Sequence, residues 1–162
     1  MNQKTRLQVN NRTSNTYSVQ ITKHTLKSGQ SVFFYSWGSS MKPLIFPGWK
    51  LIVIPAQISE LTPGDIALYE QKDGTIVAHR LINIEHNESA SFFFFKGDNR
   101  CPVEGPIPEA AILGKVTKIT SPWFSFSPEG RIVKVLYPLI CFMYHCASGV
   151  KHIFNRKNNN FK

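Results

Sequence analysis

The chain is short of acid: its 162 residues hold ten Asp and Glu against nineteen Lys and Arg, a formal net charge of +9. Cysteine is scarce too. Cys101, Cys141 and Cys146 are an odd count with no CxxC spacing, which argues against a zinc site and a disulfide framework. They are read as reduced thiols that pack as small hydrophobes. No metal and no cofactor is expected. Residues 1–30 are polar and lack an apolar h-region, so neither a signal peptide nor an N-terminal membrane anchor is expected. The most apolar segment, Val135 to Ala147, is shorter than the ~20 residues of a spanning helix. Pro138 and His145 interrupt it. No internal repeat is visible.

The excess positive charge sits on the flanks. Residues 1–30 carry five basic residues and no acid, and residues 121–162 carry six against Glu129 alone. The centre, 31–120, holds eight basic and nine acidic residues. Nucleic-acid binding usually places the basic residues on the folded domain itself, among aromatics, so no nucleic acid is expected as a partner. Basic flanks suit an anionic membrane surface, at about 1 kcal/mol per residue near the headgroups, or serve simple solubility.

Short β-rich runs separated by turn signals dominate the centre: "YSVQITKH", "SVFFYSW", "KLIVIPA", "DIALYE", "GTIVAHRLINIE", "SFFFFKG" and "AILGKVTKI". Asp73-Gly74 between two of them is a hairpin signal. The pattern predicts a mainly β fold, an antiparallel barrel-like domain over 17–120. A disordered basic leader is expected at 1–16 and a helical segment within 121–162, with helix at about 131–155. That helix would pack on the domain or lie in a membrane interface.

The stretch "FYSWGSSMKPLIFPG" puts three serines, Ser36, Ser39 and Ser40, in a turn after an apolar run. A serine hydroxyl is a poor nucleophile without a neighbouring base. Of five histidines, His24 lies in the basic N-terminal flank, His86 in a hairpin loop, and His145 and His152 in the C-terminal tail. His79 alone lies mid-strand among apolar residues. Strand alternation places it with Val77 and Leu81 on one face, and Ile76, Ala78 and Arg80 on the other. Downstream, "FKGDNRCPVEG" sets Asp98 in a turn and Glu104 six residues later.

In order along the chain stand Gly38-x-Ser40-Met41-x-Pro43, Gly64-Asp65-Ile66, "VAHRLI", "FKGDN" and "ILGKV". This series, over about residues 33–119, resembles the signal peptidase I family of serine endopeptidases. Bacterial members typically carry a lysine as general base where this chain has His79. That residue resembles the histidine-type branch of the endoplasmic reticulum, archaea and some spore-forming bacteria. The resemblance implies a signal-peptidase-type or LexA-type β domain, with Ser40 as nucleophile and His79 as general base. It implies a third acid about six residues after Asp98, where Glu104 stands in place of the usual aspartate. Asp98 would hold the turn beneath the site. The Ser40 N–H would be one oxyanion donor. The position of the second, a serine hydroxyl in many bacterial relatives, is Gly38 here, which leaves Ser39 or another backbone amide. Met41 and Pro43 would shape the substrate pocket and the turn.

The implied activity is cleavage of signal or leader peptides after small residues, the polypeptide bound extended along an edge strand. The family's N-terminal anchor is not expected here, and the chain has only "SASFFFFK" where larger members insert a cap. A membrane-associated location through the C-terminal segment and basic flanks is therefore expected, with a cytoplasmic one as the alternative. Two other readings stand beside it. One is a peptidase fold without activity. The other is a basic β-barrel binding nucleic acid, with Phe92–Phe95 and Trp37 as stacking surfaces.

Overall fold

The computed structural model describes residues 12–88, 90–100, 102–129, 137 and 139. One helix, α1 (Arg12–Lys27), precedes eight strands: β1 (Val32–Tyr35), β2 (Lys50–Pro55), β3 (Ile66–Glu70), β4 (Ile76–His86), β5 (Ser91–Lys96), β6 (Glu104–Pro108), β7 (Ile112–Thr120) and β8 (Ser125–Phe126). All pairings are antiparallel, in the order β1-β2-β7-β3-β4-β5-β6, with β8 added beside β7. The mainly β, antiparallel expectation therefore holds, and the sheet curls into a half-barrel. Curling is visible in the contacts. Three strands separate β2 from β5, yet the β1–β2 and β5–β6 connections meet, Asn99 N–H donating to the Ser40 carbonyl at 2.7 Å.

Strand alternation feeds two cores on opposite faces. Ile66 and Leu68 join Met41, Leu44, Ile45, Leu51, Val53, Val116 and Ile119 on one. Ala67 and Tyr69 join Leu81, Phe93, Phe95, Ile107 and Ile112 on the other. Central β3 is thus buried on both sides. Strand β4 alternates as predicted, with Ile76 and Ala78 against the first core and Val77 and Leu81 against the second. Phe93 and Phe95 are buried, so they are withdrawn from any stacking surface. Burying each phenylalanine contributes about 2–3 kcal/mol. The Asp73-Gly74 turn joins β3 to β4 as predicted, with Gly74 at φ 80° and Asp73 Oδ1 accepting from the Thr75 N–H.

Three expectations need correction. Residues 17–24 are helical, although "YSVQITKH" reads as a strand and helix was expected only near the C-terminus. The reason is tertiary: Val19, Thr22 and Leu26 are buried while Ile21 is half-exposed, a spacing that fits a helix packed on β1, β2 and β7. The helix closes in a Schellman motif. Gly29 at φ 81° donates to the Leu26 carbonyl and Gln30 to that of Thr25. Second, helix begins at Arg12, inside the segment expected to be disordered. Third, the sheet runs past 120, because β8 pairs with β7 and Lys115 bonds Glu129 at 2.6 Å. The expected helix at 131–155 and the three cysteines lie outside the described residues, apart from Tyr137 and Leu139. The Tyr137 ring covers the Arg80 guanidinium at 3.8 Å. Among the described residues, no helix is long and apolar enough to cross a membrane.

Candidate active site

The serine-rich connection between β1 and β2 is fixed from below. Met41, Leu44 and Ile45 are buried in the first core, so the chain turns sharply while Ser39 and Ser40 stay near the surface. Met41 is thereby an anchor of the turn, the part of its expected role that its burial in the first core bears on. The three serines separate by what their surroundings take. Ser36 Oγ donates to the carbonyls of Phe46 and Trp49, at 2.6 and 3.2 Å, and ties the loop shut. Ser39 is exposed, and its carbonyl accepts from Asn99 Nδ2 at 3.3 Å. Ser40 Oγ lies 3.0 Å from His79 Nε2.

His79 stands on β4 opposite Ala67 of β3 and is 4% exposed. Its other nitrogen, Nδ1, lies 3.3 Å from Glu104 Oε1 and 3.2 Å from the Tyr69 hydroxyl. Glu104 opens β6 opposite Phe95, and its second oxygen accepts from Tyr69 and, at 2.8 Å, from Gln71 Nε2. Ser40, His79 and Glu104 thus form one continuous chain of contacts, and the extra methylene of glutamate is accommodated.

Asp98 is placed elsewhere. Its carboxylate takes a two-pronged bond from Arg80, Nε and Nη2 each at 2.9 Å, and its side chain is 1% exposed. Arg80 also donates to the Gly64 carbonyl at 2.7 Å. The aspartate therefore braces the loop through Arg80 and leaves Glu104 as the acid on His79. Within that loop, a Cβ on Gly97 would stand 2.9 Å from the Ser40 carbonyl oxygen and 3.3 Å from His79 Nε2. Only glycine lets the two connections approach this closely.

The two remaining motifs support the sheet. Asp65 Oδ2 accepts from the Thr62 N–H at 2.9 Å and lies 3.1 Å from Lys115 Nζ, so the Gly-Asp and "ILGKV" segments are joined by a buried ion pair. Gly114 makes room between strands, since a Cβ there would lie 2.5 Å from Val53 Cγ1.

Position 38 faces the reacting group. A Cβ on Gly38 would lie 3.8 Å from both the backbone nitrogen and Oγ of Ser40, in otherwise open space. Gly38 itself supplies no side-chain donor there.

No family model and no curated protein matches the chain. The chemistry open to the site is therefore read from its own groups. Burial pushes the His79 imidazole below its ordinary value, aided by Arg100, and the Glu104 carboxylate opposes it. The ring is therefore neutral and able to accept a proton at neutral pH. Burial raises the Glu104 carboxyl, but the Tyr69 bond, the attraction of His79 once protonated and the Gln71 bond outweigh it and hold the group below its ordinary value. Among the described residues, no cluster of three or more His, Cys, Asp or Glu is arranged to hold a metal ion. A neutral imidazole between a serine hydroxyl and a carboxylate can activate the serine for attack on an electrophilic carbon.

Tyr69 and Gln71 were missed in the sequence. Tyr69 belongs to a strand buried on both sides and Gln71 to the turn after it, and nothing local marks a tyrosine whose partner is 35 residues away. Asn99 closes the "FKGDN" motif noted in the sequence, and the structure adds its bonds to the Ser40 and Ser39 carbonyls.

Proposed function

We propose that the protein is a serine endopeptidase resembling signal peptidase I, cleaving signal or leader peptides after small residues. The observation that carries the reading is the 3.0 Å approach of His79 Nε2 to Ser40 Oγ with Glu104 on the opposite ring nitrogen. Ser40 Oγ attacks the scissile carbonyl as its proton passes to His79 Nε2, and Glu104 stabilises the imidazolium through Nδ1–H. The imidazolium gives that proton to the leaving amine, the C–N bond breaks, and an acyl-serine ester remains. Water then attacks the ester while His79 takes its proton and returns it to Ser40 Oγ.

Strand β1 supports an extended substrate. It ends the sheet order, pairs with β2, and runs directly into the serine turn, so a peptide added to its open edge would pass Ser40. A membrane surface as partner is supported by Trp37 and Trp123, 80% and 83% exposed, with Lys42 over Phe46 and Lys50 over Phe33. Indole rings and lysines together suit the headgroup region of an anionic bilayer.

Ser40→Ala and His79→Ala, each assayed for cleavage of a secretory precursor in membranes, test the reading. Both variants are expected to lose cleavage, and normal cleavage by either refutes the mechanism. One observation favours a second reading, a peptidase fold without activity: Gly38 offers no side-chain donor to an oxyanion. Absence of precursor cleavage by the unmodified protein, with the fold intact, selects that reading. For attachment, a chain ending at Leu139 is the better test than one ending at residue 130, because it keeps Tyr137 over Arg80. Residues 140–162 are expected to be needed for sedimentation with membranes. Unchanged sedimentation without them ends the attachment proposal.

A further inference from the structure

Strand β3 and the residue that follows it send two side chains to the site that the hydrolytic steps leave unused. Tyr69 near the end of β3 and Gln71 just beyond it both donate to Oε2 of Glu104. Glutamate has one more rotatable bond than aspartate, and ordering it costs conformational entropy. Two donors on Oε2, with the backbone held opposite Phe95, set the carboxylate so that Oε1 meets His79 Nδ1.

Tyr69 has a second contact. Its ring is fully buried and stacked on Phe95, centroids 4.3 Å apart, and its oxygen lies 3.2 Å from His79 Nδ1. A phenol carries one proton, and here it is donated in the bond to Glu104, so only lone pairs face Nδ1. Nδ1 must then be the protonated ring nitrogen. Nε2 is left with its lone pair toward Ser40 Oγ, the form a general base requires. Burial and the neighbouring Glu104 charge push the Tyr69 hydroxyl far above the ordinary phenol range, so it keeps that proton.

We infer that Tyr69 is a positioning residue of this site: its hydroxyl bridges Glu104 and His79 and holds the imidazole as the Nδ1–H tautomer. The kinetic consequence rests on the peptidase reading, whereas the tautomer does not. Nitrogen-15 NMR of the His79 ring in the full chain therefore gives a readout that needs no activity. Unmodified protein is expected to show the Nδ1–H form, and Tyr69→Phe a measurable Nε2–H fraction. Losing one bond to a charged group should lower kcat on a secretory precursor roughly tenfold, with KM unchanged. Because Tyr69 acts through Glu104, its loss should cost much less in a Glu104→Gln background. An unchanged tautomer and unchanged kcat in a folded Tyr69→Phe variant overturns the inference. If Tyr69→Phe does not fold, Gln71→Leu decides. It removes the other Oε2 donor at a half-buried position, and it must move the tautomer in the same direction. A tautomer that responds as expected in a protein that cleaves nothing retires the peptidase reading and leaves this one standing.

Discussion

Adding a single methyl group at Gly97 should separate the nucleophile from its base. A Cβ there would lie 2.9 Å from the Ser40 carbonyl oxygen and 3.1 Å from Ser40 Cβ. Ordinary contact begins at 3.4 Å, so the Ser40 turn or the Gly97 loop must retreat by about 0.5 Å. Neither side yields easily. Met41 and Ile45 are locked in the core behind Ser40, and Asp98 is clamped by Arg80 behind Gly97. The same retreat stretches the 2.7 Å bond from the Asn99 N–H to the Ser40 carbonyl. Overpacking of this kind costs about 1–3 kcal/mol, a Tm fall of about 4 °C per kcal/mol for a domain of this size. Displacing a reacting group by a fraction of an ångström to an ångström costs up to about a hundredfold in rate. Gly97→Ala should therefore lower kcat/KM on a secretory precursor tenfold to a hundredfold, as order-of-magnitude values, with a modest fall in Tm. A variant with unchanged kcat/KM and unchanged Tm would show that the two connections do not meet as described.

Three further outcomes follow from the geometry. Because burial depresses the His79 imidazole, the acid limb of kcat/KM should lie below the ordinary imidazole value of about 6.5, and a pH–rate profile with its limb above that value contradicts it. The unfolded chain then binds the proton first as pH falls, so His79 also removes stability as pH drops through the ordinary imidazole range toward the folded-state value. Asp98→Ala leaves the buried Arg80 without its carboxylate and should cost about 3–5 kcal/mol by denaturant melt; a loss under about 1 kcal/mol would mean that the Gly64 carbonyl and Tyr137 suffice for the guanidinium. Gly38→Ser places a hydroxyl facing Ser40 in open space, and one added oxyanion donor should raise kcat roughly tenfold or more. No gain would place the second donor elsewhere.

Much of the sheet was legible because β strands with one or two buried faces write their period into the chain. Val77, His79 and Leu81 alternate with Ile76, Ala78 and Arg80, and the two sets went to two cores. Helix α1 was not legible, since Tyr17, Val19 and Ile21 alternate as well as any strand, and only packing on the sheet chose the 3.6-residue period. Strand β6 was missed for the opposite reason. "EGPIP" carries two prolines and a glycine at φ 153°, features of a turn, and it is tolerated as a strand because it ends the sheet order.

By itself, then, the sequence determined which residue types were available: one serine turn, one mid-strand histidine, and two acids close together after β5. Spacing along the chain cannot say which acid meets the histidine, because that depends on the turn after β5 and on register across it. The tertiary structure decided it. Arg80 takes Asp98 out of reach, and the Phe95–Glu104 register delivers Glu104 to Nδ1. Tyr69 enters the site for the same reason, since a residue 35 positions from its partner becomes a neighbour only when the sheet pairs β3, β4, β5 and β6 in that order.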